Sequence, residues 1–512
     1  MNTRDFISPL LPEQADKTAL IYHQHEISYG SLHTTVSHLA CGLARNYQPG
    51  TLLVLWLPNS PELLCLYLAC LKSGIIPMPM HQGMKWSELQ NILDYTQAKY
   101  LITSQKLIKP HSADIAASEL EQVYVVEPDN LQKPFVDYAE LLKSSSNFET
   151  PAILSDSPAF VLLTSGSDGQ PKAVKLSHAN LAHILAYRHI HTRLTLDSIS
   201  VVASCLTQSV GLYQSLALLA VGATQVLLES YDIDQMADCV NRYKPTHLIM
   251  TIDAFDKLLH HPDITENSLS NITFAAAGAD RITPRLQDRF IVLTDRPLWI
   301  TYGLTESSWA LVNKGDRLDK CLSLGKPCPG IEIKLTGDDG QEVSVDTVGE
   351  IFIRSPRTML GYLHDENLTR NTLMDGWLSS GDLAYKDADG YFWFAGRKKN
   401  IIVLNTGDNV SPVEIENIIL DHPDITNCVV TGKKDIDGSY VPWAYVTCRS
   451  QSLTEAVLDA YLRERISDHK IPRRIIILSE LPIGLTGKVH RTNDQNYSVG
   501  NKNPARYRRM TA

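Results

Sequence analysis

From residue 18 onward, short apolar runs alternate with longer segments that mix apolar and polar positions. Runs at 19–22 and 26–28 read as a hairpin, those at 51–57 and 75–79 as strands, and segments 29–44, 61–73 and 86–95 as helices. The rhythm resumes downstream, with helical patterns over 181–192, 211–221 and 234–242 and strand patterns over 198–203, 223–228, 247–252, 272–277 and 298–302. Repeated strand–helix–strand order predicts an α/β class, with parallel sheets covered by helices on both faces. The interval 107–150 breaks this order and reads as a polar, loop-rich connection with one strand at 123–126. Between 321 and 397 short strands and turns such as Gly337-Asp338-Asp339-Gly340 and Asp387-Ala388-Asp389-Gly390 predict an antiparallel or barrel-like β subdomain. Beyond Gly396 a helix over 412–420, opened by Ser411 and Pro412, is followed by strands at 428–432 and 443–447, a helix over 453–467 and a strand at 474–478. That is a small α+β domain, and the expected division is 1–396 and 397–512, at Arg397-Lys398-Lys399.

Length agrees with this division, since 512 residues exceed what one hydrophobic core usually supports. A net charge of -10 argues against a nucleic-acid partner, and the basic stretch Arg506-Tyr507-Arg508-Arg509 reads as a solvated end. Nine cysteines, with no Cys-x-x-Cys pair and no histidine at zinc spacing, read as buried small hydrophobes in a reducing compartment. No long apolar core follows Met1-Asn2-Thr3-Arg4-Asp5, and the most hydrophobic region, 52–80, is interrupted by Pro58-Asn59-Ser60-Pro61-Glu62. The expectation is a cytoplasmic protein with no membrane span.

One stretch concentrates chemistry. Thr164-Ser165-Gly166-Ser167-Asp168-Gly169-Gln170-Pro171-Lys172 follows a strand-like run at 159–163 and precedes a helix starting near Ser177 or Asn180. Two glycines let the backbone turn so that successive N–H groups face one point, and the hydroxyls of Thr164, Ser165 and Ser167 add donors there. Such a nest suits a polyphosphate, with the Lys172 ammonium against its charge. Standing alone, the segment also reads as a polar surface loop. It is not the Walker pattern, because no Gly-Lys-Ser/Thr closes it.

Four further stretches follow in order: Tyr302-Gly303-Leu304-Thr305-Glu306, Ser380-Gly381-Asp382-Leu383, Gly396-Arg397-Lys398-Lys399 and Leu485-Thr486-Gly487-Lys488-Val489-His490-Arg491. With the loop, they make the chain resemble the adenylate-forming superfamily of acyl-CoA synthetases, luciferases and peptide-synthetase adenylation domains. The resemblance implies ATP-dependent, AMP-forming activation of a carboxylic acid, then transfer to a thiol, coenzyme A or a carrier-bound phosphopantetheine. It implies that Thr164, Ser165, Gly166, Ser167, Asp168, Gly169 and Lys172 hold the β- and γ-phosphates, that Glu306 takes part in Mg2+ binding and that Thr305 touches the α-phosphate. Gly278, Ala279 and Asp280 would read adenine, Tyr302 beside Gly303 would stack on it, and Asp382 with Arg397 would take the ribose. Lys488 would bridge the carboxylate and the α-phosphate from a mobile C-terminal lid, with Lys399 at the hinge; Lys488, Thr164 and Glu306 are the residues expected to act on the reacting groups.

Some positions depart from the family's pattern. Asp168 replaces the usual threonine or serine, placing a carboxylate beside a polyphosphate unless it turns outward. Gln208 stands where many acyl- and aryl-CoA ligases have a histidine, ahead of Gly211-Leu212. Thr207 stands where peptide-synthetase domains keep an aspartate for an α-ammonium, so an α-amino acid is disfavoured as substrate. Small residues at Gly211, Ala276 and Gly303, near Gln208, would leave room for an apolar acyl or aryl chain. Two alternatives stay open: a stand-alone enzyme loading an acyl carrier protein, and a catalytically weakened nucleotide-binding regulatory protein.

Overall fold

A computed structural model describes residues 2–129, 134–144, 151–164, 171–278, 282, 284–405, 408–435, 439–449 and 453–481. The described residues up to Lys334, with Phe352–Ser380, form one compact unit; Leu335–Ile351 and the described residues from Gly381 onward form a second. Arg397, Lys398 and Lys399 therefore lie within the second unit.

The expected strand–helix–strand rhythm builds two sheets in the first unit. One has five parallel strands, in the order Ile76–Met80, Leu52–Trp56, Tyr100–Ser104, Gln122–Val126 and Phe135–Asp137. The other has nine, and runs from Lys326–Pro327 through Ser308–Asn313, Trp299–Leu304, Phe274–Gly278, His247–Thr251, Ile199–Val202, Thr224–Leu227 and Thr18–Tyr22 to His25–Ser28. Its interior pairs are parallel; the expected hairpin at Thr18–Tyr22 and His25–Ser28 closes one edge, and an antiparallel turn after Trp299–Leu304 starts the other.

Local chemistry sets the helix ends. Pro61–Ser73 starts with Ser60, whose hydroxyl accepts from Leu63 N at 3.2 Å, has Pro61 at its first position, and ends at Gly74 with φ +76. This helix is buried from Leu63 to Ser73, so it is apolar nearly all round. His178–Thr192 starts directly after Ser177, one of the two expected starts and three residues before the apolar pattern alone suggests, because Ser177 and Asn180 form a reciprocal cap: Ser177 Oγ accepts from Asn180 N at 3.0 Å and Asn180 Oδ1 from Ser177 N at 2.9 Å.

Other elements differ from expectation. Lys172–Ser177 is a strand, antiparallel to Pro158–Thr164, so the Ser/Gly-rich loop joins two strands of a three-stranded sheet whose third member is Gly361–Tyr362. Helices Ile252–Leu259 and Pro284–Thr294 were not anticipated, and the first takes up Ile252, which had been assigned to a strand. Among the described residues of the interval 107–150 there are, besides the expected strand, the short helical turns Lys109–His111, Ser112–Ala116 and Ala139–Leu142 and the strand Phe135–Asp137.

In the second unit, Ile425–Lys434 and Tyr440–Cys448 pair antiparallel, and Arg474–Leu478 adds parallel to the latter. Helices Pro412–Leu420 and Glu455–Arg463 supply Ile415, Ile419, Leu458 and Leu462 to its core. All nine cysteines are free, and among the described residues no helix is long and apolar enough to cross a membrane.

Candidate active site

The hairpin pairs Thr164 with Lys172, so both ends of the loop are held in fixed register. The loop residues Ser165, Gly166, Ser167, Asp168 and Gly169 lie outside the described residues, as do Ala279, Asp280 and Lys488. The hairpin is anchored from several sides. Leu360 N donates to Lys175 O at 2.8 Å, Gly361 and Tyr362 pair with Lys175 and Val174, and Asn180 Nδ2 donates to Pro356 O at 3.0 Å. The segment from Pro356 to Tyr362 is thus tied to the strand and helix that follow the loop.

The same segment reaches Glu306. Met359 N donates to the backbone carbonyl of Glu306 at 2.8 Å, and the buried Tyr362 hydroxyl donates to Glu306 Oε1 at 3.0 Å. On the Tyr362 ring, the Lys172 ammonium stands 5.4 Å from the centroid, within cation–π range. Burial, and then the adjacent Glu306 carboxylate, push the Tyr362 pKa up, so the phenol stays protonated and remains a donor. Lys172, Tyr362 and Glu306 therefore form one connected group drawn from three distant parts of the sequence. Reading the sequence missed Tyr362, since nothing local marks a tyrosine 56 residues from its partner.

Glu306 sits in the turn after Trp299–Leu304. The chain reverses there through a bulge between Tyr302 and Gly303 and through Ser308, whose φ is +58. Gly303 is required by this turn: a Cβ would lie 2.1 Å from Ser308 O. Gly211 is likewise closed off, at 2.4 Å from Cys205 O, and a Cβ on Gly278 would lie 2.7 Å from Thr301 Oγ1. At these glycines the missing side chain is replaced by neighbouring protein atoms rather than by open space. Ala276 is fully buried in the register Ala276–Trp299, and Gln208 is half-buried at the start of Ser209–Ala220. Tyr302 and Thr305 are half-buried on the same turn.

In the second unit, Asp382 and Arg397 face each other across the hairpin of Trp377–Lys386 and Phe392–Arg397. Arg397 Nε lies 2.8 Å from Asp382 Oδ1, and Asp382 is only 2% exposed, so the ion pair compensates a buried carboxylate. Gly381, at φ +68, turns the backbone just before it and donates its N–H to Glu350 Oε1 at 3.3 Å. Lys398 bridges Asp338 and Glu350 at 3.1 and 3.3 Å. Lys399 lies beside it in the short 3₁₀ turn Lys398–Asn400.

Among the described residues no cluster of three or more His, Cys, Asp or Glu side chains forms a self-sufficient metal cage. A single carboxylate such as Glu306 is a hard oxygen ligand of the kind that would suit a divalent cation such as Mg2+.

A model of AMP-binding enzymes matches residues 11–363, and one of the C-terminal domain of AMP-binding enzymes matches 414–488. The chain is 29% identical to an indoleacetate–CoA ligase of Aromatoleum aromaticum over 95% of its own length and 96% of that protein's. To a medium-chain fatty-acid–CoA ligase of Escherichia coli it is also 29% identical, over 93% and 87% of the two chains. Among solved structures, ATP-bound MatB from Rhodopseudomonas palustris superposes with a TM-score of 0.86 at 25% identity, covering 96% of this chain and 97% of that one. The anthranilate CoA ligase AuaEII in complex with anthranoyl-AMP gives 0.86 at 25% identity, covering 96% and 95%.

Proposed function

The chain belongs to the family of AMP-binding enzymes, and we propose that it activates a carboxylic acid with ATP, releasing pyrophosphate, and then passes the acyl group to the thiol of coenzyme A. The observation that carries this reading is the link from Glu306 through the Tyr362 hydroxyl to the hairpin bounded by Thr164 and Lys172.

Adenylation brings a carboxylate to the α-phosphorus of ATP, so two anions must meet and negative charge must be offset where it accumulates. In this reading the donors of the loop from Thr164 to Gly169, with Lys172, take the β- and γ-phosphates. Thr305 touches the α-phosphate. Glu306, oriented by Tyr362, would share an Mg2+ with the phosphate oxygens, and a divalent ion bound there would add positive charge where the anions meet. Tyr302 would stack on adenine with Gly278, Ala279 and Asp280 along its edge, and Asp382 with Arg397 would take the ribose hydroxyls. Gln208, Gly211, Ala276 and Gly303 would bound the acid. Lys488 would bring an ammonium to the point where carboxylate and α-phosphate meet. Lys399 would act as the hinge on which the C-terminal domain, residues 397–512, changes pose between the two half-reactions.

Coenzyme A is favoured over a phosphopantetheine carrier because the named relatives of similar length are CoA ligases. The test is to incubate the protein with ATP, Mg2+ and a panel of acids, offering free coenzyme A or candidate acyl carrier proteins. Acyl-CoA and AMP in equal amounts are expected; thioester on the carrier alone would reassign the acceptor.

A further inference from the structure

Two arginines in the first unit are buried with no counter-charge paired to them among the described residues. Arg188, on helix His178–Thr192, and Arg357, five residues before Tyr362, are each 2% exposed. Among the described residues, Arg188 Nε and Nη1 and Arg357 Nη1 and Nη2 have no hydrogen-bond partner. Aromatic faces cover them: Arg188 Cζ lies 3.4 Å from the Trp309 ring centroid and Arg357 Cζ 4.2 Å from that of Tyr187, and the Cys328 thiol is a weak hydrogen-bond partner of the Arg357 guanidinium. Among the described residues, the groups acting most strongly on Arg188 are Tyr187, Arg357, Tyr213 and Cys328. Burial raises the pKa of both tyrosines and of the Cys328 thiol, so all three are neutral. Arg188 and Arg357 thus face neutral groups and each other, and burial pulls the pKa of Arg188 down to about 9 and that of Arg357 below its ordinary value. A cation–π contact recovers only part of the solvation that a buried guanidinium gives up.

This cluster borders the candidate active site. Trp309 is the register partner of Gly303, and Tyr213 follows Gly211 by two residues on helix Ser209–Ala220. Tyr213 lies in electrostatic reach of both Arg188 and Glu306, and its buried hydroxyl also has no partner among the described residues. Two planar donor forks and a phenol, held rigidly by stacking, match the oxygens of a carboxylate.

We propose that Arg188 and Arg357, with the Tyr213 hydroxyl, bind a second carboxylate of the acid, remote from the one that is adenylated, so that the substrate is a dicarboxylic acid. This rests on the adenylation proposed above and adds the substrate class. It also gives a reason for charge in a place where an apolar acyl chain would need none.

The test measures acid-dependent exchange of labelled pyrophosphate into ATP with glutarate, adipate, phthalate and isophthalate, each against its monomethyl ester. At least one diacid should exceed its ester by about 100-fold in kcat/KM, a range set by charge-assisted hydrogen bonds to a buried site. Arg188→Met and Arg357→Met should each reduce that preference by about 30-fold or more, mainly through KM, and should raise Tm by removing an uncompensated charge. Esters used as well as diacids by the wild type, or an unchanged preference in both variants, would overturn the proposal. So would stabilisation by chloride equal to that by the diacids. If no acid supports exchange, the adenylation reading is what fails. Thermal shift then still decides the subsite: stabilisation by a diacid over its ester that Arg188→Met abolishes supports it, and equal shifts overturn it.

Discussion

Replacing Tyr362 by Phe removes one oxygen atom and little else. The ring is buried, Phe has the same shape, and the Lys172 ammonium 5.4 Å from the centroid keeps its aromatic partner. What goes is the 3.0 Å hydrogen bond to Glu306 Oε1, together with the phenol's hydrogen bond with Thr372, which a double-mutant cycle cancels. A hydrogen bond to a charged group is worth about 1.5–3 kcal/mol, but Glu306 is half-buried and water would recover part of that, leaving about 1–2 kcal/mol. If Tyr362 acts by orienting Glu306, the loss should appear as about 5- to 30-fold in kcat/KM for pyrophosphate exchange, with a rise in the Mg2+ concentration needed for half-maximal rate. The assay is a double-mutant cycle with Glu306→Gln, run on exchange rate and on urea denaturation in parallel. A coupling of about 1 kcal/mol or more in rate is expected. If Tyr362→Phe costs the same with Glu306 present or replaced, the hydroxyl does not work through the carboxylate and the reasoning is refuted.

Three other outcomes follow from the same geometry. Asp382→Asn should raise KM for ATP by about tenfold or more while leaving KM for the acid within about threefold, because charge-assisted bonds to one substrate are lost; initial-rate kinetics varying each substrate check this, and equal rises for both would contradict it. Gly303→Ala should cost about 2–4 kcal/mol, since its Cβ would meet Ser308 O at 2.1 Å and Trp309 Cα at 2.9 Å, backbone atoms that cannot rotate away; thermal denaturation gives the number, and an unchanged Tm would contradict the tight turn. Burial, with the Arg4 charge adding to it, holds His178 down at about pKa 4 against an ordinary 6.5. As pH falls from 6.5 to 4 the unfolded chain therefore takes up a proton that the folded one refuses, and stability drops by up to about 3 kcal/mol. Urea denaturation across that window should show the slope flattened in His178→Gln.

The parallel sheets were legible because strand and helix periods alternate cleanly in apolar segments such as 51–57 and 61–73, where Ser60-Pro61 and Gly74 also mark the helix ends. Strand order was not legible. Thr18–Tyr22 lies beside Thr224–Leu227, a neighbour that no local pattern specifies. The strand Lys172–Ser177 was hidden because its two lysines and short length resemble a loop leading into a helix. For the candidate site, sequence reading named residues that sit in motifs and passed over one recruited by folding: Tyr362 meets Glu306 only through the three-stranded sheet. Arg188 did carry a signal. It falls on the stripe of Leu181, Ile184, Leu185 and Thr192, so the buried face of that helix includes a charge, a placement the sequence reading passed over. The glycines at 211 and 303 carry a second constraint that spacing did not show: backbone carbonyls stand where side chains would be, so the local chain path also calls for glycine there.

The most direct measurement of whether this chain makes acyl-adenylates is exchange of labelled pyrophosphate into ATP without coenzyme A, in the wild type and in Lys488→Ala. Exchange should require both an acid and Mg2+, and Lys488→Ala should lower it by about three orders of magnitude or more, as expected for a charge that stabilises only the transition state. Thioester formation from preformed adenylate should survive that substitution. ATP binding without exchange on any acid, or exchange indifferent to Lys488, would contradict the account.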